Sequence, residues 1–153
     1  MTNSRLAMVL VIIYFTGGCV PDPKSSQVFT LPDGDATHGE VLFTQFQCYE
    51  CHSVSGVTTP ASLKPEQSVV RLGGEVARIK TYGELVTSII NPSHRLASSY
   101  AAEMVTNEEG ESQMRNYNDV MTVSELIDLV AFLQTHYSLR QYEPTTYDTY
   151  HFP

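Results

Sequence analysis

The sequence is poor in basic residues, and this shortage already excludes some functions. There are 9 Lys and Arg against 17 Asp and Glu. A duplex nucleic-acid binder needs a basic stripe to neutralise phosphates, so the charge balance argues against that class. Glycine and proline, at 9 and 8 residues, are at ordinary levels, and no fixed period recurs, which argues against collagen-like and repeat architectures. The composition fits a small acidic globular protein.

The sequence also lacks an apolar run long enough to span a membrane comfortably. Residues 6–15 (LAMVLVIIYF) form an apolar run of ten, whereas a spanning helix needs about 20. A short positive start at Arg5 and a Thr-Gly-Gly stretch before Cys19 resemble a bacterial lipoprotein signal. We therefore expect residues 1–18 to be a signal peptide and Cys19 to be lipidated. A signal cut nearby or an uncleaved short anchor is the alternative.

The rest of the chain divides into three parts. Residues 19–35 predict a lipidated start and a stiff, polar, Pro-containing linker. Residues 36–137 predict one folded domain, and residues 138–153 a polar, Tyr-rich tail. The expected location is the periplasmic side of a bacterial membrane, with the leaflet left open.

Export limits what the two remaining cysteines can do, because exported thiols are normally paired. Cys48 and Cys51 are separated by two residues and followed by His52. A redox dithiol is expected within a βαβ pattern, and structural zinc needs a second pair of ligands; the sequence offers neither. C-x-x-C-H is the signature of covalent haem attachment. At this spacing two thiols reach the two vinyl groups of one porphyrin, and the histidine is placed under the iron.

Three segments predict helices around or after this motif. Each begins with a capping box, a Thr followed three residues later by a Glu, and continues with apolar residues at helical spacing. The boxes are Thr37 and Glu40, Thr81 and Glu84, and Thr122 and Glu125. The coarse prediction is three helices joined by long loops, with no sheet.

Residues 37–133 resemble a class I monohaem cytochrome c in three places and in the family's order. A Gly–Phe pair matches the crossing of the first and last helices, an Asn-Pro matches the end of the helix over one haem edge, and two apolar residues match the face of the last helix. These residues are Gly39 and Phe43, Asn91 and Pro92, and Leu129 and Phe132. The resemblance implies an all-α class I cytochrome c fold, with three main helices and long loops around one covalently bound haem c.

The resemblance also bears on the sixth iron ligand, opposite His52. The candidates are Met104, Met114, Met121, His94 and His136. In the family the axial Met lies on a loop shortly before the last helix and is usually followed by Pro. Met114 stands eight residues before Thr122, with Arg115 in place of the Pro. The resemblance therefore implies Met114, with Met104 as its rival.

Two further roles concern the surroundings of the haem. Pro60 resembles the family's proline whose carbonyl accepts a hydrogen bond from the axial histidine, a bond that orients the ring. A plain turn residue is the alternative for Pro60. Arg71, Arg78 and Arg95 are candidates to meet the haem propionates, because Arg suits carboxylate geometry.

An iron held by His and Met has no open position, which suits electron transfer rather than catalysis. The resemblance implies a carrier of single electrons between membrane-linked redox partners, not an enzyme. Two alternatives stay open: a subunit held within a larger respiratory or dehydrogenase complex, and a haem sensor of gas or redox state with a labile sixth ligand. The acidic residues Glu108, Glu109 and Glu111 are either a solvated loop or a docking patch for a basic partner.

Overall fold

The computed structural model describes residues 29–61 and 69–141. The predicted signal peptide, the lipidation site Cys19 and most of the predicted linker lie outside the described residues, as does the tail beyond residue 141. None of the helices in the two described stretches has the length and apolarity needed to cross a membrane.

Four α-helices and four short strands make up the described chain. The helices are α1 Ala36–Gln45, α2 Tyr82–Ile90, α3 Ala102–Val105 and α4 Val123–Thr135. Single 3₁₀ turns cover Cys48–Glu50 and Pro92–His94. The strands are β1 His52–Val54, β2 Val70–Leu72, β3 Gly74–Val76 and β4 Tyr137–Leu139, so β4 extends into the first residues of the expected tail.

The strands form two parallel sheets of two strands each. β1 pairs with β2, with His52 opposite Val70, and β3 pairs with β4, with Gly74 opposite Tyr137. The prediction of an all-α class I cytochrome c fold with three main helices and no sheet is therefore wrong, and the structure is mixed α/β. Strands of three residues are too short to produce a readable alternation of apolar and polar side chains. Helix α3 was missed because it is one turn without a side-chain cap.

Two of the three predicted capping boxes are confirmed. Thr81 with Glu84 begins α2, and Thr122 with Glu125 begins α4, with both reciprocal hydrogen bonds present in each. Helix α1 begins differently, because its cap is Asp35, whose carboxylate accepts from the backbone N–H groups of residues 37 and 38. The capping box predicted at Thr37 and Glu40 is therefore wrong: an Asp cap satisfies two donors without a glutamate partner, and Thr37 lies inside the helix.

Helices α1 and α4 pack together at close range, and the expected crossing of the first and last helices is confirmed. A Cβ atom at Gly39 would clash with the backbone oxygen of Asp128 and with the Cβ of Phe132. The rings of Phe43 and Phe132 lie 5.7 Å apart between centroids, and both are at most 2% exposed. Leu129 is also buried in this core. The missing side chain at Gly39 is therefore what lets the two helices approach.

Candidate haem-binding cleft

The C-x-x-C-H motif occupies the turn between α1 and the first sheet. Helix α1 ends at Gln45 with Phe46 as its C-cap, and Gln47 then adopts a left-handed backbone with φ of 58°, the one such non-glycine residue in the described stretches. A 3₁₀ turn follows and leads directly into β1, which begins at His52. Cys48 and Cys51 are both half-buried. The sharp turn thus brings two thiols and an imidazole into one short segment.

The pairing of β1 with β2 orients the His52 ring. Its Nδ1 lies 3.3 Å from the backbone oxygen of Val70. A carbonyl oxygen can only accept, so Nδ1 is the donor in this contact, and a histidine held in this way binds a metal through Nε2. The first sheet, which sequence patterns did not predict, therefore orients the ring of the expected iron ligand.

The Val70 carbonyl makes the contact with the His52 ring that the sequence suggested for the Pro60 carbonyl. Pro60 is exposed in the loop after β1, whereas Val70 is half-buried on the strand beside His52. The sequence carries no signal that the Val70 carbonyl would contact His52, because this contact depends on the parallel pairing of two short strands. A role for Pro60 stays a prediction.

A cleft with two lobes lies beside the motif. The inner lobe, of about 80 Å³, is walled mainly by apolar side chains of the core, including Leu85, Ile89 and Leu129, and reaches Cys48. The outer lobe, of about 240 Å³, is more polar and reaches Cys51. Each lobe is therefore lined by a different cysteine of the motif.

The two residues expected from the sequence to bind iron are among those common to both lobes. His52, Ser88 and Met114 line the inner and the outer lobe alike. Met104 lines the outer lobe, and Met121 lines the inner lobe. The fold thus brings the imidazole and the thioether preferred from the sequence to the same cleft, although they lie far apart in the chain.

The two histidine candidates lie elsewhere. Of the described residues, His94 and His136 are not among those that line either lobe. His136 caps the end of α4, and its ring packs edge-on against Phe132 with centroids 4.7 Å apart. This packing gives His136 a structural role.

The segment that carries Met114 is held by hydrogen bonds on its upstream side. The Met114 N–H donates to the Ser112 hydroxyl at 3.2 Å, and the Ser112 N–H donates to the Ser93 hydroxyl at 3.1 Å. Ser93 belongs to the 3₁₀ turn after α2, so these bonds tie the start of the loop to the end of that helix. Met114 is half-buried.

The downstream side of the same segment is anchored to two helix ends. The Tyr117 hydroxyl donates to the backbone oxygen of Phe46 at 3.0 Å, and the Asn118 side-chain amide donates to the backbone oxygen of Ile90 at 2.9 Å. Tyr117 is only 9% exposed and lines the inner lobe. Met114 is therefore bracketed by contacts to α1 and α2.

Burial affects the chemistry of the first thiol. Desolvation raises the pKa of Cys48 to about 11, so this residue remains a neutral thiol at physiological pH. The neutral thiol is the less nucleophilic form, because the thiolate is the form that attacks another sulfur.

Two cations line the outer lobe, Lys80 and Arg95. Arg95 is 3.1 Å from a Glu84 oxygen, and Arg78 forms two hydrogen bonds to the same carboxylate, at 2.8 and 2.6 Å. The Arg78 hydrogen bonds hold the pKa of Glu84 well below its usual range, so the carboxylate stays charged. Of the three arginines expected near propionates, Arg95 lines the cleft, and Lys80 lines it without having been predicted.

The acidic residues before Met114 lie on a small hairpin closed by a bridge between Thr106 and Ser112. Glu108, Glu109 and Glu111 are all exposed there. A docking role for them stays a prediction.

The donors in the cleft suit an iron porphyrin. An imidazole, a thioether and two thiols beside an apolar wall are side chains that can hold a covalently attached haem. In the described residues, no group of three or more His, Cys, Asp and Glu could hold a metal ion. The residues present therefore fit haem c.

No protein-family model, curated protein or solved structure matches this chain. The residues of the cleft are therefore the basis for the functional proposal.

Proposed function

We propose that this protein is a c-type cytochrome that carries single electrons on one haem c, attached through Cys48 and Cys51. The observation that supports this most strongly is the shared lining of the two lobes. His52 and Met114 come from different elements, yet both line each lobe, with one motif cysteine in each. A bound haem iron with imidazole and thioether ligands supplies a one-electron couple with no open coordination position.

The residues around the cleft have distinct tasks in this proposal. The Val70 carbonyl orients His52 and makes its ring more basic. The apolar wall, with Leu85 and Leu129, excludes water, and a low dielectric around the iron influences its reduction potential. Lys80 and Arg95 offer positive charge to the carboxylates of a porphyrin at the outer lobe.

The proposal extends to the setting of the protein. Lipidation at Cys19 would tether the domain to the periplasmic side of a bacterial membrane, and residues 19–35 would give it reach. The partners would be redox proteins that donate and accept single electrons. An acidic carrier of formal charge −8 would associate faster with partners that present basic surfaces, and less so at high salt.

Haem attachment is tested by producing the full chain in a bacterial periplasm together with haem c maturation proteins. We expect the intact mass to include one haem that survives denaturation and acid–acetone extraction. A Cys48→Ala/Cys51→Ala variant should lose that mass. The matched control is Cys19→Ala, which should keep the haem but lose membrane association. A wild-type chain without covalent haem would contradict the proposal.

A further inference from the structure

Met114 is followed by Arg115 rather than by a proline, so the stiffness of its loop needs another source. A proline fixes its own φ and restricts the residue before it, which would limit the orientations of a Met side chain. Arg115 imposes no such restriction. If Met114 is to stay on an iron, other contacts have to hold the loop against the cleft.

Tyr117 makes the contacts that a stiff loop requires. Its hydroxyl donates to the backbone oxygen of Phe46 at 3.0 Å, and its ring packs edge-on against the Phe46 ring at 5.6 Å. Its own backbone oxygen accepts from the N–H groups of Val120 and Met121, at 3.0 and 2.9 Å, in the turn that leads into α4. Tyr117 therefore joins three pieces of chain: the Met114 loop, the end of α1 and the start of α4.

The position of the hydrogen bond between Tyr117 and Phe46 matters more than its strength. Phe46 is the C-cap of α1, two residues before Cys48. The hydrogen bond from Tyr117 thus connects the segment with the proposed sixth ligand directly to the segment with the two thiols and His52. The bond is partly buried, and Tyr117 itself is 9% exposed.

The Arg115 side chain adds to the same arrangement. Its guanidinium carbon lies 5.5 Å from the centroid of the Tyr117 ring, within the range of a cation–π contact. The residue in the place of the proline therefore packs on the outer face of the ring that anchors the loop.

We propose that Tyr117 is a positioning residue that holds Met114 at the iron through its hydroxyl bond to the Phe46 backbone. This inference rests on the proposed function. Tyr117 does not bind the iron in this proposal. It makes displacement of Met114 by an outside ligand less favourable, because the loop must release this bond to move away.

The test compares two tyrosine-to-phenylalanine variants of the haem-loaded full chain. Tyr117→Phe keeps the buried ring and removes the hydroxyl. Tyr137→Phe is the control, because its hydroxyl oxygen accepts from the backbone of Gly73, just before β3, and Tyr137 lines neither lobe of the cleft. Ferric proteins are titrated with imidazole, and the far-red sulfur-to-iron band reports the loss of Met114.

Tyr117→Phe should bind imidazole about three- to tenfold more tightly than wild type, the range expected for the loss of one hydrogen bond. Tyr137→Phe should bind it as wild type does. An unchanged imidazole affinity in Tyr117→Phe, or an equal rise in both variants, would overturn the inference. Equal rises would mean that the proteins are merely less stable.

A second variant covers the case in which Tyr117→Phe does not accumulate. Arg115→Gln alters an exposed side chain and should tighten imidazole binding about twofold, because only the cation–π contact is lost. No tightening in Arg115→Gln would then contradict the inference. A wild-type protein without haem would instead refute the proposed function itself, so the two failures are distinguishable.

Discussion

The contact between α1 and α4 and the cleft beside it are built by different means. The helix contact depends on side-chain size: a glycine lets the backbones approach, and two phenylalanines fill the space next to it. The cleft depends on hydrogen bonds to backbone atoms, with Val70 holding His52 and Phe46 holding Tyr117. Stability should therefore reside mainly in the first region, and the strength of the axial ligands in the second.

This difference matters for the proposed electron transfer, because a carrier needs an iron site that hardly rearranges. A close-packed helix pair provides a stiff base, since protein interiors behave like organic solids. Hydrogen bonds then fix the direction of each ligand on that base. Changes in the two regions should consequently be separable by experiment.

The largest expected effect is on stability, from Gly39→Ala. An added Cβ would clash with the Asp128 backbone, which cannot move without shifting α4. We expect a loss of about 2 kcal/mol in the free energy of unfolding, although alanine favours helices. The control is Gly83→Ala in α2, where a Cβ meets nothing within 4 Å, and it should be neutral or stabilising by up to about 1 kcal/mol. Denaturant titration measures both, and equal losses would contradict close helix packing.

A smaller effect is expected at Glu84, which links the helix framework to the cleft. Glu84→Gln should cost about 1 kcal/mol near pH 7, because it weakens the capping box and the ion pairs with Arg78 and Arg95. The exposed Glu40→Gln is the control and should be close to neutral.

The pH dependence of this effect has a definite sign. The pKa of Glu84 is lowered in the folded chain by its hydrogen bonds with Arg78, so its contribution is complete above the ordinary value of 4.5. The contribution is lost as the pH falls below that value toward the folded-state pKa. Between pH 7 and pH 3 the stability difference between wild type and Glu84→Gln should therefore shrink. A difference that grows on acidification would contradict this ion-pair network.

The smallest effect on stability is expected at the loop before Met114. Ser112→Ala removes the hydroxyl that accepts from the Met114 N–H, and the Ser112 N–H keeps its bond to Ser93. The unfolding free energy should fall by less than about 1 kcal/mol. Imidazole affinity of the haem-loaded protein should nevertheless rise severalfold. Ser88→Ala, which alters the cleft lining but not the loop, is the control for a change in polarity. A rise confined to Ser88→Ala would contradict the role of the loop hydrogen bonds in holding Met114.

The helix contact was predictable because its signals are local. The capping boxes at Thr81 and Thr122 predict the starts of α2 and α4. A glycine within a helix, here Gly39, indicates that another element packs closely against it. The start of α1 at Asp35 was not predicted, since a single acidic residue before a helix is a weak signal.

Of the cleft, the sequence predicted only the candidate haem-binding residues, and their role stays a prediction. Cys48, Cys51 and His52 are a contiguous motif, and Met114 was placed by its distance from the last helix. The Val70 carbonyl was not predictable, because every residue has one and only the pairing of β1 with β2 selects it. The absence of a sheet was predicted and is wrong, since three-residue strands leave no pattern in the sequence.

The axial ligand of the haem-loaded chain tests the central claim most directly. Ferric and ferrous absorption spectra should be recorded for wild type, Met114→Ala and Met104→Ala. We predict a low-spin wild type with the far-red sulfur-to-iron band, the same spectrum for Met104→Ala, and loss of the band with a change to high spin for Met114→Ala. A Met114→Ala protein that keeps the band, or a wild type that is already high-spin and binds carbon monoxide readily, would contradict the account.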